Sequence, residues 1–377
     1  MIIGKTGRGG IVSTCSYEAR KYGAKSGMPT YQALAKCPNA IMISGDYRYY
    51  QEKSNEFFNF VKSYTKLVEE ASIDECYVDF TNVLSKVSNP VVFLRNFQKN
   101  LYKSTGLKCS IGVAPTKFLA KMDSDMKKPF GLVIIHRKNA KKILSPLPIE
   151  DFYGIGKKTS PKLMEIGIKT IGDLINKIES EDLEVKKILG KFYFIINDCV
   201  NGYSSDEINT KPFDPKSIGH STTLLSDAVS IEELEKPLLE LCNEVSKDAK
   251  EQNKVGKNVQ IVLKDNEFKS INRSKKLENK TNNKDEIYKF ALQLLKENYD
   301  GRPIRLIGVT LENLVKPHEE FEQLSIFDNY DEIHEKRDIQ QLIDELNKKM
   351  HKNVFKTAAD HLKEKENETK WSHKFVF

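Results

Sequence analysis

The stretch SIDECYVDFT (residues 72–81) carries the pattern that decides the fold of its region. Apolar side chains alternate with polar or aromatic ones from Cys76 to Phe80, as in a half-buried β-strand, and Asp74 and Glu75 stand at its start. Adjacent carboxylates repel each other unless a cation neutralises them, so the pair suits divalent metal ions. Taken by itself, however, such a pair is more often a solvated turn. Both interpretations stay open at this point.

Helical and strand patterns alternate on either side of this strand. We predict helices at about 48–65, 90–104 and 115–127, and strands at about 74–80, 108–113 and 132–136. This alternation predicts a sheet that helices cover on at least one face. Nearer the N-terminus, two short helices are expected near Tyr17–Tyr22 and Thr30–Lys36.

A paired glycine pattern follows in a region of short helices. The turn GIGK (residues 154–157) precedes a helix that starts near Pro161, and GIKTIGDL (residues 167–174) comes one helix later. This is a helix–hairpin–helix pattern, in which backbone N–H groups at a helix start can bind a DNA phosphate regardless of base sequence. A single GxG is also an ordinary tight turn, but the paired form favours DNA binding.

The segment from 216 to 313 has its own pattern of predicted strands and helices. Strands are predicted at about 216–225, 257–264, 267–273 and 304–313, and helices at about 231–250 and 284–298. The order βαββαβ is a split βαβ arrangement of ferredoxin-like type that would fold as a separate domain. Asp265–Asn266 is predicted to be the hairpin turn between the two middle strands.

Composition narrows the functional class only moderately. The chain has 377 residues, 39% hydrophobic and 30% charged, with a formal charge of +7. This basic bias is compatible with nucleic-acid binding without demanding it. No apolar run reaches the roughly 20 residues that span a bilayer, and the N-terminus has no secretory h-region. The six scattered cysteines contain no CxxC pair, so we expect reduced thiols and a cytoplasmic protein without membrane association.

Several linked phrases, in this order, resemble the Y-family DNA polymerases, closest to the DinB or DNA polymerase IV branch. They include STCSYEAR (13–20) with GMP (27–29), SIDECYVDFT, SIGVAPTKFLAK (110–121), KKPFG (127–131), the hairpin, KSIGH (216–220) and FKSINRSKK (268–276). The resemblance implies an α+β multidomain, right-hand polymerase with fingers, a ferredoxin-like palm, a small helical thumb with a helix–hairpin–helix, and a βαββαβ little finger. The implied boundaries are fingers 1–45, palm 46–146, thumb 147–204, linker 205–215, little finger 216–315 and a charged tail 316–377.

The resemblance also implies roles for individual residues. Asp74 and Glu75 would be two of three carboxylates that bind two Mg²⁺ ions, with Asp74 contacting both. Residues implied to bind the incoming deoxynucleoside triphosphate are Thr14, Tyr17, Arg20 and Lys128. Residues implied to bind primer–template DNA are Gly154, Gly156, Lys157, Lys264, Lys269, Arg273 and Lys275. The implied reaction is attack of a primer 3′-hydroxyl on the α-phosphate with loss of pyrophosphate.

A short peptide in the tail, QLSIF (323–327), resembles the motif by which bacterial polymerases dock into the sliding clamp, the β subunit. Gln323 and the apolar anchors Leu324, Ile326 and Phe327 would enter a groove from a polar tether. The same pentapeptide can be an ordinary packing turn, but its place just after the little finger favours clamp binding. We expect the polymerase itself to be a monomer.

The sequence departs from the family at its start. The family's first strand carries the first metal-binding aspartate and an aromatic residue that excludes ribonucleotides, whereas the residues before Cys15 contain no acid. Three explanations stand side by side: a misassigned start, a split or degraded gene, or a real remnant. A two-metal site lacking one carboxylate should lose most of its rate, so we expect this polypeptide to have little polymerase activity.

Three functional classes compete. The first is a low-fidelity, template-directed DNA polymerase that copies past lesions, and the second is a catalytically inactive DNA- and clamp-binding remnant of one. A hairpin-containing nuclease or repair scaffold is the third, but it leaves the SYEAR and KKPFG phrases and the βαββαβ domain without a role.

Overall fold

The computed structural model describes residues 1–201, 203 and 207–317, together with the single positions 342, 343, 346, 350 and 355. Two compact units divide the chain, Met1–Asp214 and Pro215–Phe377. None of the helices among the described residues is long and apolar enough to cross a membrane. The six cysteines, which all lie among the described residues, form no disulfide bond with one another. Burial raises the pKa of Cys76 to about 12 and that of Cys109 to about 11, so both stay protonated.

The strands of the first unit are short. They are β1 (Ile2–Gly4), β2 (Val12–Cys15), β3 (Met42–Ile43), β4 (Val68–Glu70), β5 (Cys76–Val78), β6 (Ile111–Val113) and β7 (Leu132–Ile134). The first three form one sheet in the order β2-β1-β3, with β2 antiparallel and β3 parallel to β1. The antiparallel pair β4–β5 and the parallel pair β6–β7 are separate sheets. Within the described residues the predicted sheet of this region is therefore two two-stranded pieces, and β5 and β6 are not paired with each other.

The helices of the first unit are α1 (Tyr17–Lys21), α2 (Thr30–Lys36), α3 (Tyr47–Lys62), α4 (Thr81–Leu84), α5 (Pro90–Thr105), α6 (Lys117–Met126), α7 (Arg137–Leu144), α8 (Ser160–Glu165), α9 (Ile171–Glu179), α10 (Leu183–Leu189) and α11 (Phe192–Asn201). The five helices whose bounds were predicted (α1, α2, α3, α5 and α6) agree with the prediction to within about three residues. Local sequence sets the start of α6, because the hydroxyl of Thr116 caps it by accepting from the backbone N–H of Leu119. The buried residues of α6, among them Leu119 and Met122, join the core of the following helices.

The second unit contains β8 (Ser217–Ala228), α12 (Ile231–Glu251), β9 (Gly256–Asp265), β10 (Ser270–Thr281), α13 (Lys284–Asn298) and β11 (Ile304–Glu312). This is the predicted βαββαβ order. The strands form one antiparallel sheet in the order β10-β9-β11-β8, so each βαβ crossover spans one intervening strand. Alternate residues of β9, such as Val259, Ile261 and Leu263, enter the core with the two helices.

The prediction of the hairpin between β9 and β10 was wrong in its length. Lys264 pairs with Ser270, so four residues follow Asp265 before β10 begins, and β10 runs to Thr281 instead of ending near 273. The longer turn forms because the Asp265 carboxylate accepts the backbone N–H groups of Glu267 and Lys269, at 3.0 and 2.9 Å. Phe268 adopts a left-handed conformation at φ 66°. A side chain that bonds its own turn competes with the tight two-residue loop.

Candidate functional site

The acidic pair lies in a bend that leads into β5. The backbone N–H groups of Ala71 and Ser72 both donate to the carbonyl oxygen of Glu75, at 2.9 and 3.2 Å, which closes the bend. The hydroxyl of Ser72 donates to the Asp74 carboxylate at 2.8 Å. The Asp74 residue is exposed. The bend therefore holds one carboxylate outward at the start of the strand.

A string of alternating charges extends from Glu75 along α6. Lys121 Nζ lies 2.5 Å from Glu75 Oε1 and 3.4 Å from Asp125 Oδ2, and Lys128 Nζ lies 2.6 Å from Asp125 Oδ1. Partial burial opposes the charged form of Lys121, but the hydrogen bond to Glu75 and the charge of Asp125 outweigh it, so the pKa of this ammonium is raised. Lys121 is therefore a fixed cation against Glu75, and Lys128 is held near the same site.

The side chains of this site offer the type of ligand atom that Mg²⁺ prefers. Asp74 and Glu75 supply the hard carboxylate oxygens that Mg²⁺ prefers, and Mg²⁺ is commonly held by one or two carboxylates together with substrate phosphates. No cluster of three or more His, Cys, Asp or Glu side chains that could hold a metal ion occurs among the described residues. The two carboxylates thus fit a metal whose remaining ligands are water and substrate.

The predicted nucleotide-binding residues of the finger segment come together. Arg20 donates from Nη2 to Thr14 Oγ1 at 3.4 Å and from Nε to the Cys15 carbonyl at 3.2 Å, and its guanidinium lies 5.8 Å from the centre of the Tyr17 ring. Ser16 caps α1 by accepting from the Ala19 N–H. A guanidinium, a hydroxyl and an exposed aromatic ring on one short segment can bind a phosphate group.

The hairpin of the helical module presents free donors. Gly154 has φ +98°, and a Cβ at this position would lie 2.5 Å from the Phe192 ring, so the turn requires glycine. Ile155 is buried and anchors the turn, whereas Gly156 and Lys157 are exposed. Within the described part of the chain, the backbone N–H groups of Gly156 and Lys157 have no protein acceptor. They can therefore bind an external anion.

The structure separates the four basic residues predicted on the second unit. Lys264 lies on the sheet face opposite the helices. Lys275 donates to Gln293 Oε1 at 2.8 Å and Arg273 to Asn298 Oδ1 at 2.9 Å, so both reach toward α13. Lys269 lies in the hairpin turn and pairs with Glu267 at 2.7 Å.

The face that carries Lys264 forms a shallow groove of small and polar side chains. Its lining residues are Ser217, Gly219, His220, Ser221, Val262, Lys264, Ser270, Asn272, Leu306, Gly308 and Thr310. Lys276 is exposed and, through its pairing with Asn258, belongs to the same face. Sequence reasoning missed Lys276 and the groove, although the period-two alternation of β9 could have identified the face.

Two other points concern the predicted sites. Gln323, Leu324, Ile326 and Phe327 lie outside the described residues, so clamp binding stays a prediction. Asp125 was not predicted as a site residue. The i,i+4 spacing of Lys121 and Asp125 on a predicted helix indicates that these two side chains can meet. Nothing in the sequence indicates that Glu75 meets Lys121.

Comparison with known proteins assigns the family. The profile of the impB/mucB/samB family matches residues 1–125, its C-terminal domain matches 215–326, and the IMS family HHH motif matches 137–168. DNA polymerase IV of Oceanobacillus iheyensis is 37% identical over 362 residues, which are 96% of this chain and 85% of that protein. DNA polymerase IV 1 of Bacillus subtilis is 36% identical, with 96% and 86% covered.

Similarity to solved structures supports the same family assignment. A Y-family DNA polymerase chimera of Dbh and Dpo4 is similar with a TM-score of 0.73 at 28% identity, covering 84% of this chain and 92% of that one. An insertion ternary complex of Dbh DNA polymerase has the same identity and coverage with a TM-score of 0.55. The predicted fold class is therefore confirmed. The chain belongs to the Y family of DNA polymerases, in its DNA polymerase IV branch.

Proposed function

We propose that this chain performs template-directed joining of deoxynucleotides at Asp74 and Glu75, with low fidelity and past template lesions. The observation that carries the proposal is that Asp74 and Glu75 are adjacent on the surface of the first unit, where Glu75 contacts Lys121 and Asp125 links Lys121 to Lys128. This surface combines oxygen ligands for a divalent cation with a lysine able to bind phosphate. Membership in the DNA polymerase IV branch supports the assignment.

Each group has a distinct task in this proposal. Asp74 and Glu75 would hold two Mg²⁺ ions, which when bound would neutralise charge on the attacking and leaving oxygens. Lys128 and the finger-segment group of Thr14, Tyr17 and Arg20 would hold the triphosphate. A primer 3′-oxygen then forms a bond to the α-phosphorus while the bond to pyrophosphate breaks, a reaction that depends on positioning and electrostatics.

DNA is held by groups that do not distinguish bases. The free N–H groups of Gly156 and Lys157 suit a backbone phosphate, as does the ammonium of Lys264 on the open sheet face. Lys269, Arg273 and Lys275 would add positive charge at the edge of the same sheet. We also propose that the polymerase acts as a monomer and that the QLSIF peptide tethers it to the sliding clamp.

A second candidate is a DNA- and clamp-binding protein without catalysis. The groups that favour it are the free N–H donors of Gly156 and Lys157 and the ammonium of Lys264, which would bind DNA whether or not Asp74 and Glu75 hold metal ions.

Primer extension with magnesium and a DNA template tests both candidates. We expect primer extension if the chain is the proposed polymerase, and DNA binding without extension if it is the second candidate. Asp74→Ala should lower the extension rate at least about a hundredfold, since a ligand to both cations is lost. Asp79→Ala, which alters a nearby acid that accepts the Thr81 N–H at 2.8 Å, is the matched control. Extension that survives Asp74→Ala would refute the proposed site, and DNA binding without extension by the parent chain would favour the second candidate.

A further inference from the structure

Lys121 lies where a metal ion would be expected. Its ammonium lies 2.5 Å from Glu75 Oε1, on one of the two carboxylates proposed to bind cations. The side chain is only 16% exposed, so the surrounding helix and strand hold it against the carboxylate. A divalent cation that binds this oxygen must therefore first displace Lys121.

A second acceptor for Lys121 lies next to the first. Asp125 is one turn further along α6, with its Oδ2 atom 3.4 Å from Lys121 Nζ. This distance is longer than the contact with Glu75, so Asp125 is the weaker of the two partners. A small rotation of the lysine stem would exchange one partner for the other without leaving the ammonium unpaired, which would be costly in a partly buried position.

We infer that Lys121 is a built-in counter-cation of Glu75 that competes with the divalent cation, and that Asp125 receives it on displacement. The inference rests on the proposed metal site and assigns two positioning residues to it. Without metal, the lysine neutralises Glu75 beside Asp74 and so limits repulsion between the adjacent acids. With metal, Asp125 lowers the cost of moving the lysine away.

Asp125 also connects the metal to the nucleotide. Its other oxygen, Oδ1, is bound by Lys128 at 2.6 Å, and Lys128 is the proposed triphosphate ligand. When a triphosphate draws Lys128 away, Asp125 loses one cation and becomes a better acceptor for Lys121. Binding of nucleotide and binding of metal then favour each other, and by linkage the coupling is the same in both directions.

The test is a titration of the full chain with Mn²⁺ as the probe, with free Mn²⁺ measured by electron paramagnetic resonance and no nucleotide present. Lys121→Met keeps the apolar stem and removes the competitor, so we expect Mn²⁺ to bind about fivefold more tightly. Asp125→Asn removes the receiving acid, so we expect binding about threefold weaker. Circular dichroism melts check that both variants are folded.

A matched control separates competition from the general effect of charge. Lys117 lies one turn earlier on α6 and is similarly exposed, but pairs with Glu69 at 2.7 Å. Lys117→Met also removes one positive charge, and we expect it to change Mn²⁺ affinity less than twofold because the Lys117 ammonium bonds Glu69 and not Glu75, so it does not occupy the proposed metal ligand. In a Glu75→Gln background, Lys121→Met should no longer tighten binding.

The outcomes distinguish the role of Lys121 from the existence of the proposed metal site. Tightening by Lys121→Met alone supports competition. Two results would overturn the role of Lys121 and leave the metal site standing. One is an equal rise in Mn²⁺ affinity in Lys117→Met and Lys121→Met. The other is no rise in Lys121→Met although Asp74→Ala abolishes Mn²⁺ binding. Mn²⁺ binding that Asp74→Ala and Glu75→Gln leave unchanged overturns the proposed site and the competition together.

Discussion

Two buried aspartates, one in each unit, have opposite surroundings. Asp265 in the second unit is 5% exposed and accepts two backbone N–H groups and Arg302 Nη1 at 3.3 Å. Asp123 in α6 of the first unit is fully buried, and both of its carboxylate oxygens lack a hydrogen-bond partner among the described residues. Its neighbour Ile135 offers little, because that N–H donates to Val113 at 2.9 Å.

The contrast extends to the sheets around the two acids. Asp265 ends a ten-residue strand in a four-stranded sheet, whereas Asp123 faces Gly112 of a three-residue strand in a two-stranded one. Long strands pair their polar groups repeatedly, so the loss of one contact is shared. Short strands make few such pairs, so the stability of the region depends more on each side-chain contact. The second unit therefore resembles a robust scaffold, while the first depends on single contacts near its site.

The largest expected effect is on the pH dependence of the free energy of unfolding, and it comes from Asp123. Burial raises its pKa to about 7 from an ordinary value near 3.8. A raised carboxyl pKa means that the folded state holds the proton more tightly, so the free energy of unfolding should fall as pH rises from about 4 to about 7, by up to about 4 kcal/mol. Asp123→Asn cannot ionise and should lose this dependence. Urea unfolding followed by circular dichroism at pH 5 and pH 8 should show that the stability of the variant relative to the parent increases from pH 5 to pH 8. Equal stability at both values would mean that Asp123 has a partner after all.

Substitution of Asp265 should lower the free energy of unfolding, whereas Asp123→Asn should raise it relative to the parent as pH increases from 5 to 8. Asp265→Ala removes the acceptor of two turn N–H groups and leaves Arg302 without this partner, so we expect the second unit to lose about 2–3 kcal/mol. The same urea experiment measures this loss. Glu267→Ala, which removes a neighbouring exposed acid of the turn, should cost less than about 0.5 kcal/mol. If Asp265→Ala stabilised the chain, the two aspartates would not differ as described.

The smallest expected effect concerns the open face of the second unit. Lys264→Gln should weaken binding to duplex DNA a few-fold at about 100 mM salt and lower the salt slope by about one, if this ammonium meets a phosphate. Lys275→Gln is the control, since that ammonium already bonds Gln293, and it should change the slope less. Fluorescence anisotropy over a series of salt concentrations measures both. A larger effect of Lys275→Gln would place the DNA contact on the edge strand instead of the open face.

Much of the architecture was predictable because it depends on local pattern. The ends of α5 follow from Asn89, Pro90 and Gly106, which cap, start and stop a helix by short-range geometry. The alternation of β9 and the glycine turn at 154–156 are likewise readable from neighbours in the chain. The β9–β10 turn was mispredicted because two competing local bonds, a tight turn and a side-chain acceptor, are both compatible with Asp265–Asn266.

The sequence by itself determined the order of the elements in the second unit, the acidic pair at a strand start, the glycine hairpin and the family. Only the tertiary structure decided which charges meet. Glu75 and Lys121 are 46 positions apart, and no periodicity links them. Asp123 is an unremarkable polar residue in a helical pattern until packing buries it. Ion pairing and desolvation depend on distance and dielectric environment, which are properties of the folded chain.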